Sequence, residues 1–318
     1  MRRLTSVFLA VGFATAAICG SLPAAAVVTP VGVKTTSLDE FAPSAGMDPV
    51  SGDTYFAWTQ NSASKPQHHD AYLDVTSGPT TTRTKLNAPG SLGWDAGIDG
   101  TNLVFQEVPR DTGNSDLVLY DISSHTRLPT PSGLDSRAWQ WGPTISGEWI
   151  LYGENSRKQN FSRVMLHNTN TGEERILAES SYKKFNVWQG QVSGDYAVYA
   201  TTARIWHVVV YQISTGHRTE VPSRHDMPVY TPAVTADGTV YYARSGRGCG
   251  VKVRIYRWSV TSPSKPVPIA ALPDGKDISD RLYAFNDGSS TTLYFDRFSC
   301  GHSNSGNIYR IDGADTAT

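Results

Sequence analysis

Ser146-Gly147-Glu148-Trp149-Ile150-Leu151-Tyr152 reads as a tight turn carrying glycine, followed by an apolar and aromatic strand. The phrase recurs along the chain. It stands at Ser51-Gly52 ahead of Thr54-Tyr55-Phe56-Ala57-Trp58, at Asp99-Gly100 ahead of Leu103-Val104-Phe105, and at Ser193-Gly194 ahead of Tyr196-Ala197-Val198-Tyr199. It returns at Asp237-Gly238 ahead of Val240-Tyr241-Tyr242 and at Asp287-Gly288 ahead of Leu293-Tyr294-Phe295. Successive glycines lie 48, 47, 47, 44 and 50 residues apart. Self-similarity at such a period marks one supersecondary unit repeated along the chain.

The surroundings of each turn complete the unit. A second β-rich segment follows: Ala71-Tyr72-Leu73, Leu117 to Tyr120, Val164-Met165-Leu166, Val208 to Tyr211, Val253 to Tyr256 and Asn307-Ile308-Tyr309. Polar turns such as Thr171-Gly172 and Thr215-Gly216 then lead into short outer strands, Glu174 to Leu177 and Arg218 to Val221. Ahead of each glycine turn lies a first strand, as in Trp94 to Ile98, Trp141 to Ile145 and Trp188 to Val192. Four antiparallel strands per unit make a propeller blade. One such sheet cannot cover both its faces, whereas six packed radially cover one another. The predicted fold is therefore an all-β, six-bladed β-propeller over residues 27–318. The last unit ends near Ile311 without room for a fourth strand, and the Val- and Thr-rich segment Val27 to Thr36 is expected to supply it, closing the ring.

These repeats resemble those of the TolB-like six-bladed propellers, whose units carry a Ser-Pro-Asp-Gly-like turn and an aromatic strand after it. Here the turns are Ser-Gly or Asp-Gly without the proline. No counterpart of TolB's separate N-terminal domain is present, so the resemblance implies a fold and not a place in a Tol and Pal system.

The register also selects candidate site residues. Trp94, Trp141 and Trp188 are spaced by 47, four residues ahead of Ile98, Ile145 and Val192, and Tyr230 stands in the same relation to Val234. Pro43 and Arg281 take the equivalent places in the first and last repeats. These residues should lie near the start of the innermost strands, at a mouth of the central channel. There they either fill the gap between blades or offer ring faces to a ligand. Asp95, Gln189 and Thr231 follow them on the same strands. Asp95 is nearly alone as a carboxylate in that ring, which disfavours a calcium-dependent hydrolase needing several converging acids.

Other motifs carry less. His68-His69-Asp70 is the densest histidine cluster, but with no second pair at zinc-site spacing it is expected to be a solvated loop, and no metal or cofactor is predicted. The chain lacks a Gly-x-Ser-x-Gly elbow, a glycosidase-type carboxylate pair and sialidase Asp-boxes. Arg157, Lys158, Arg204, Arg244, Arg247 and Arg297 fall in loops expected on one face, either a solvated surface or a weakly cationic rim.

The ends and composition set the compartment. Arg2, Arg3, the apolar run Val7 to Ile18 and Ala24-Ala25-Ala26 read as a secretory signal cleaved after Ala26. Ile18 ahead of Cys19 argues against a lipid anchor. The paired arginines admit twin-arginine export, though Leu4-Thr5-Ser6 fits that signal poorly, so general secretion is the default. The run is too short to span a bilayer. Lys and Arg total 28 against 29 Asp and Glu, so no basic field points to nucleic acid. Cys249 and Cys300 follow Gly238 and Gly288 by 11 and 12 residues, matching places in neighbouring blades, which predicts a disulfide.

The expected function is a secreted, monomeric, non-catalytic binding module that recognises a protein or a cell-envelope glycan at the channel mouth and loop face. The alternative is a secreted lyase or hydrolase with the channel as its pocket. Several carboxylate, amide or histidine side chains converging in the channel would favour the enzyme, and an open aromatic channel the binding module.

Overall fold

A computed structural model describes residues 28–317 apart from 63–64, 111–113, 135, 185, 203–204, 224–226 and 302–305. The expected signal segment and Cys19 lie outside the described residues. Strands β1 (Val31–Lys34) to β24 (Asn307–Ile311) form six four-stranded sheets. Their innermost strands are β2 (Glu40–Met47), β6 (Leu92–Asp99), β10 (Trp139–Ser146), β14 (Val187–Ser193), β18 (Val229–Val234) and β22 (Lys276–Asn286). Each contacts the next around the ring, and β22 contacts β2. This is the six-bladed propeller that the glycine period predicts. Among the described residues no helix is long and apolar enough to cross a membrane.

The last sheet runs β1, β24, β23 (Thr291–Ser299), β22, with Val31 opposite Arg310 and Gly32 opposite Tyr309. The N-terminal segment thus supplies the outer strand of the final blade. Apolar clusters fill the gaps between neighbours. Tyr55, Leu73, Ile98 and Phe105 pack between the first two blades, and Ala233, Tyr241, Leu282 and Phe295 between the last two. The seam between last and first blades is tied differently. Lys34 Nζ donates to Asp74 at 2.8 Å and lies 4.3 Å from the Trp58 ring centre, while the Gly306 N–H donates to Asp39 at 2.6 Å.

Cys249 and Cys300 are bonded, with Cα atoms 5.9 Å apart. The bridge joins the loop after β19 (Thr239–Arg244) to the end of β23, in neighbouring blades as the repeat register requires. His68-His69-Asp70 is not a loop, contrary to expectation. The hairpin of β3 (Thr54–Ser62) and β4 (Lys65–Ser77) is long enough to keep all three in β4, where the strand pleat points neighbours apart. His69 lies between Phe41 and Trp94, with ring centres at 5.5 and 5.2 Å, and burial lowers its pKa. His68 Nδ1 contacts Arg110, and Asp70 pairs with Lys85.

Candidate ligand site at the bulged mouth of the channel

Every innermost strand breaks register near its start. The shifts fall between Phe41 and Ser44, Trp94 and Ala96, Trp141 and Thr144, Gln189 and Val192, Tyr230 and Ala233, and Ile278 and Leu282. A bulge adds residues to one strand, bends it and re-aims side chains. Four of them pass through left-handed backbone, at Ala42, Asp95, Gly142 and Thr231, with φ of 51°, 37°, 59° and 45°. For a β-branched residue such as Thr231 this conformation is a true outlier.

The bulges collect the predicted aromatics at one mouth. Trp94, Trp141, Trp188 and Tyr230 pair with Gln106, Gly153, Ala200 and Ala243, equivalent rungs of four consecutive blades. In the first blade the rung belongs to Phe41, opposite Thr59, and not to Pro43, which falls inside the bulge. Arg281 likewise sits within the last bulge, past Ile278. Counting from the glycine turn misplaces both: the first turn, Asp48 to Asp53, is longer than its counterparts, and the last bulge, between Ile278 and Leu282, holds one residue more than the others.

Two cavities open at this mouth and share Trp188. One, of about 300 Å³, is lined by Phe41, Trp94, Asp95, Trp139, Trp141 and Gln189, with Gln106, Asn155 and Arg281 completing its wall. The other, of about 370 Å³, lies against Trp206, Tyr230, Thr231, Asp277 and Cys249. Trp141 is buried and packs on Trp188 at 4.8 Å between ring centres, its ring covering Gly153 so closely that a Cβ there would stand 2.1 Å from it. Trp94, Trp139, Trp188, Trp206 and Tyr230 each keep part of their surface in solvent. The predicted residues therefore divide: Trp141 fills the gap between blades, and its neighbours present open ring surface.

The polar residues are joined across blades. Burial raises the Asp95 carboxyl above the usual carboxylate range; nearby Arg281 opposes this, Asp296 adds to it, and the Gly142 N–H donates to the carboxylate. Gly142, at φ 59°, leaves the space that the Gln189 amide occupies, where a Cβ would displace it. Buried Gln189 keeps its Oε1, and buried Thr231 its Oγ1, without a hydrogen-bond partner. Gln106 is spent on Ser115 at 2.8 Å. Tyr230 donates to Asp277, whose other oxygen accepts from the Gly250 N–H at 3.0 Å, so the disulfide loop is held against the second cavity. Burial and this acceptor push the Tyr230 phenol upward. Cys249, Asp277 and Cys300 lie close together, but the bonded sulfurs exclude a thiolate metal site.

The channel is crossed at mid-height. Arg281 donates to the Ala96 and Pro143 carbonyls at 2.7 and 3.3 Å, and the Tyr283 hydroxyl to the Ile98 carbonyl at 2.8 Å. Gln191 donates to the Ala284 carbonyl and accepts from the Ala284 N–H. The last blade is thereby tied to the second, third and fourth. The far mouth is a separate cavity of about 620 Å³ lined by the glycine turns.

Of the basic loop residues, Arg244 and Arg297 lie over Tyr256 and Tyr309. Arg157, Lys158 and Arg247 are exposed, and Arg204 falls outside the described residues. Sequence reading missed Phe41, Trp139, Trp206 and Asp277. Trp139 was within reach, two residues before Trp141 on the same face of a strand.

No family model matches the sequence, and no curated protein matches it. Solved structures match in fold. TolB from Acinetobacter baumannii superposes with a TM-score of 0.51 at 12% identity, over 81% of this chain and 64% of TolB. An oligogalacturonate lyase solved with manganese gives 0.52 at 10% identity, over 92% and 84% of the two chains. Puromycin hydrolase gives 0.55 at 13%, over 86% of this chain and 43% of its own. The fold is shared with TolB-type propellers and with propellers of lyases and hydrolases, and identities this low carry nothing further.

Proposed function

We propose that this protein is a secreted, non-catalytic binding module whose ligand seats in the paired cavities of the bulged mouth. The observation that carries the reading is the arc of part-exposed rings, Trp94, Trp139, Trp188, Trp206 and Tyr230, around two cavities joined at Trp188. Large rings held open to solvent forgo burial that would stabilise the fold, and their faces suit a sugar ring or a partner's side chain. The polar groups beside them mostly hold the wall, since Gln106, Arg281 and Asp277 are engaged with neighbours. Secretion is supported by the disulfide, which persists in oxidising compartments, and by the charged and apolar start of the chain.

One observation favours the enzyme reading. Asp95 is a carboxyl raised by burial within a cavity, beside Arg281, and such a group can serve as a general acid. One experiment separates the two. The mature protein, immobilised, is offered cell-envelope glycans and proteins, and retained ligands are recovered intact. Trp94→Ala with Trp188→Ala should lower retention at least tenfold while the protein melts as a single transition. Unchanged retention by the double variant would remove the mouth as the site, and shortened glycan or peptide products would establish the enzyme.

A further inference from the structure

The part of the ligand that enters the Trp94 cavity is an organic cation: we infer that this cavity receives an ammonium or guanidinium group between ring faces and the Asp95 carboxylate. This rests on the binding reading above and specifies its chemistry.

Charge, hydrogen-bond inventory and ring placement agree on that chemistry. Among the described residues, Asp95 and the fully buried Asp296 stand facing the cavity and behind its wall, against the one guanidinium of Arg281. That guanidinium points its donors away, to the Ala96 and Pro143 carbonyls. It is pinned as part of the wall and offers no fork to an anion. Two buried side-chain oxygens at the mouth can accept. Gln189, 6% exposed, leaves its Oε1 unpaired on the lining, and Thr231, 5% exposed, leaves its Oγ1 unpaired on the adjoining cavity. A ligand that donates can meet both of these oxygens. The remaining lining is aromatic, with Phe41, Trp94, Trp139, Trp141 and Trp188 around the same space. Ring faces carry negative potential and attract a cation within about 6 Å of their centres, most strongly for tryptophan and when water is excluded. The fold already uses this pairing outside the mouth, where Lys34 and Arg83 lie 4.3 and 4.7 Å from the Trp58 ring centre. Among the described residues no lysine or arginine lies over the rings of Phe41, Trp94 or Trp139. A neutral sugar gains the ring contact but leaves two carboxyls, Asp95 and Asp296, to the one guanidinium of Arg281, and an anion meets Asp95 and unpaired acceptors.

The test uses the mature protein and tryptophan fluorescence. Butylguanidinium is titrated against butylurea, its neutral isostere, in the parent and in Asp95→Asn, with thermal melts confirming that the variant folds. The parent should bind butylguanidinium at least tenfold more tightly than butylurea. In Asp95→Asn the two should agree within threefold, through loss of the cation's advantage and not through weaker butylurea binding. Equal binding of both probes by the parent, or an undiminished preference in Asp95→Asn, would overturn the cation assignment while leaving the mouth as a binding site. No saturable response to these probes or to neutral methyl glycosides would overturn both. Two further arms identify the source of the cation: N-acetyl-arginine amide stands for a basic protein side chain and methyl glucosaminide for an amino sugar. Preference for either over its neutral counterpart supports the inference.

Discussion

At the far mouth, carboxylates are answered where they stand. Asp48 accepts from the Val50 and Ser51 amides, and Asp287 from Ser289 and Ser290, which hold both carboxyls below the usual range. Asp121, in a turn on the same face, is lowered in the same way by Ser123 and Ser124. At the bulged mouth burial raises Asp95, and on the neighbouring seam it raises Asp39 and Glu40. The two ends are built from the same strands and bear acidic groups alike. One end answers its carboxylates with amides and hydroxyls of the same turn or, for Asp99, with the Gly147 N–H of the next blade. The other keeps carboxyls desolvated, acceptors unmet and several bulges in left-handed backbone, and such local strain and unmet polarity belong to functional sites more often than to packing.

The contrast can be broken at its boundary. Arg281 stands across the channel between the two mouths, and Arg281→Met would remove its bonds to the Ala96 and Pro143 carbonyls and the positive charge beside Asp95 and Asp296. The expected loss is about 3 to 5 kcal/mol of unfolding free energy, measured by urea denaturation. A loss below about 1 kcal/mol would show that water replaces the guanidinium and that the mouths are continuous.

Within the bulged mouth, Trp141→Ala should cost about 3 kcal/mol, the low end for a large buried aromatic. Trp94→Ala should cost less, because that ring keeps solvent contact. Equal losses would mean that the arc is packing throughout.

The smallest effects sharpen the comparison through pH. Asp95 has a folded pKa above its ordinary value of 3.8, so the fold binds that proton more tightly than the unfolded chain does. Its favourable contribution is complete below about pH 3.8 and is lost as pH rises through the folded value. Asp287 is the reverse, contributing above its ordinary value and losing that contribution as pH falls through its lower folded value. Near neutrality Asp95→Asn should therefore melt above the parent and Asp287→Asn below it. The Asp95 difference should vanish below about pH 3.8, and the Asp287 difference should shrink as pH falls below that value. Shifts of the same sign in thermal melts would erase the distinction between the mouths.

The blades were legible because each glycine turn and its aromatic strand are local features repeated at one period. The open strand complement of the last repeat predicted the closing role of β1, and the matching offsets of Cys249 and Cys300 predicted their bridge. The aromatic rungs were legible for the same reason. The lengths of turns and bulges were not: the first turn is longer than the others, so Pro43 was taken for the place that Phe41 fills, and the last bulge holds one residue more, so Arg281 was read as mouth lining without its role across the channel. Nor could a period disclose the contacts of Arg281, Tyr283 and Gln191, which join residues as far as 185 positions apart. His69 was assigned to a loop because the length of the β3–β4 hairpin leaves no repeat signal.

Among the described residues, the bonds that cross the channel have one end on β22, at Arg281, Tyr283 or Ala284, so this hub cannot be made until most of the chain has been synthesised. Sheets before Lys276 can pair and stack in order as they emerge, each over a short contour. The centre then waits for one strand, and the rim waits for β24 to meet β1, a contact between Val31 and Arg310 that spans nearly the whole chain. Contacts so distant along the chain are the slow ones to form. Assembly thus proceeds as an open horseshoe whose last arc locks centre and rim together, and a chain released before that arc leaves its axis unbraced.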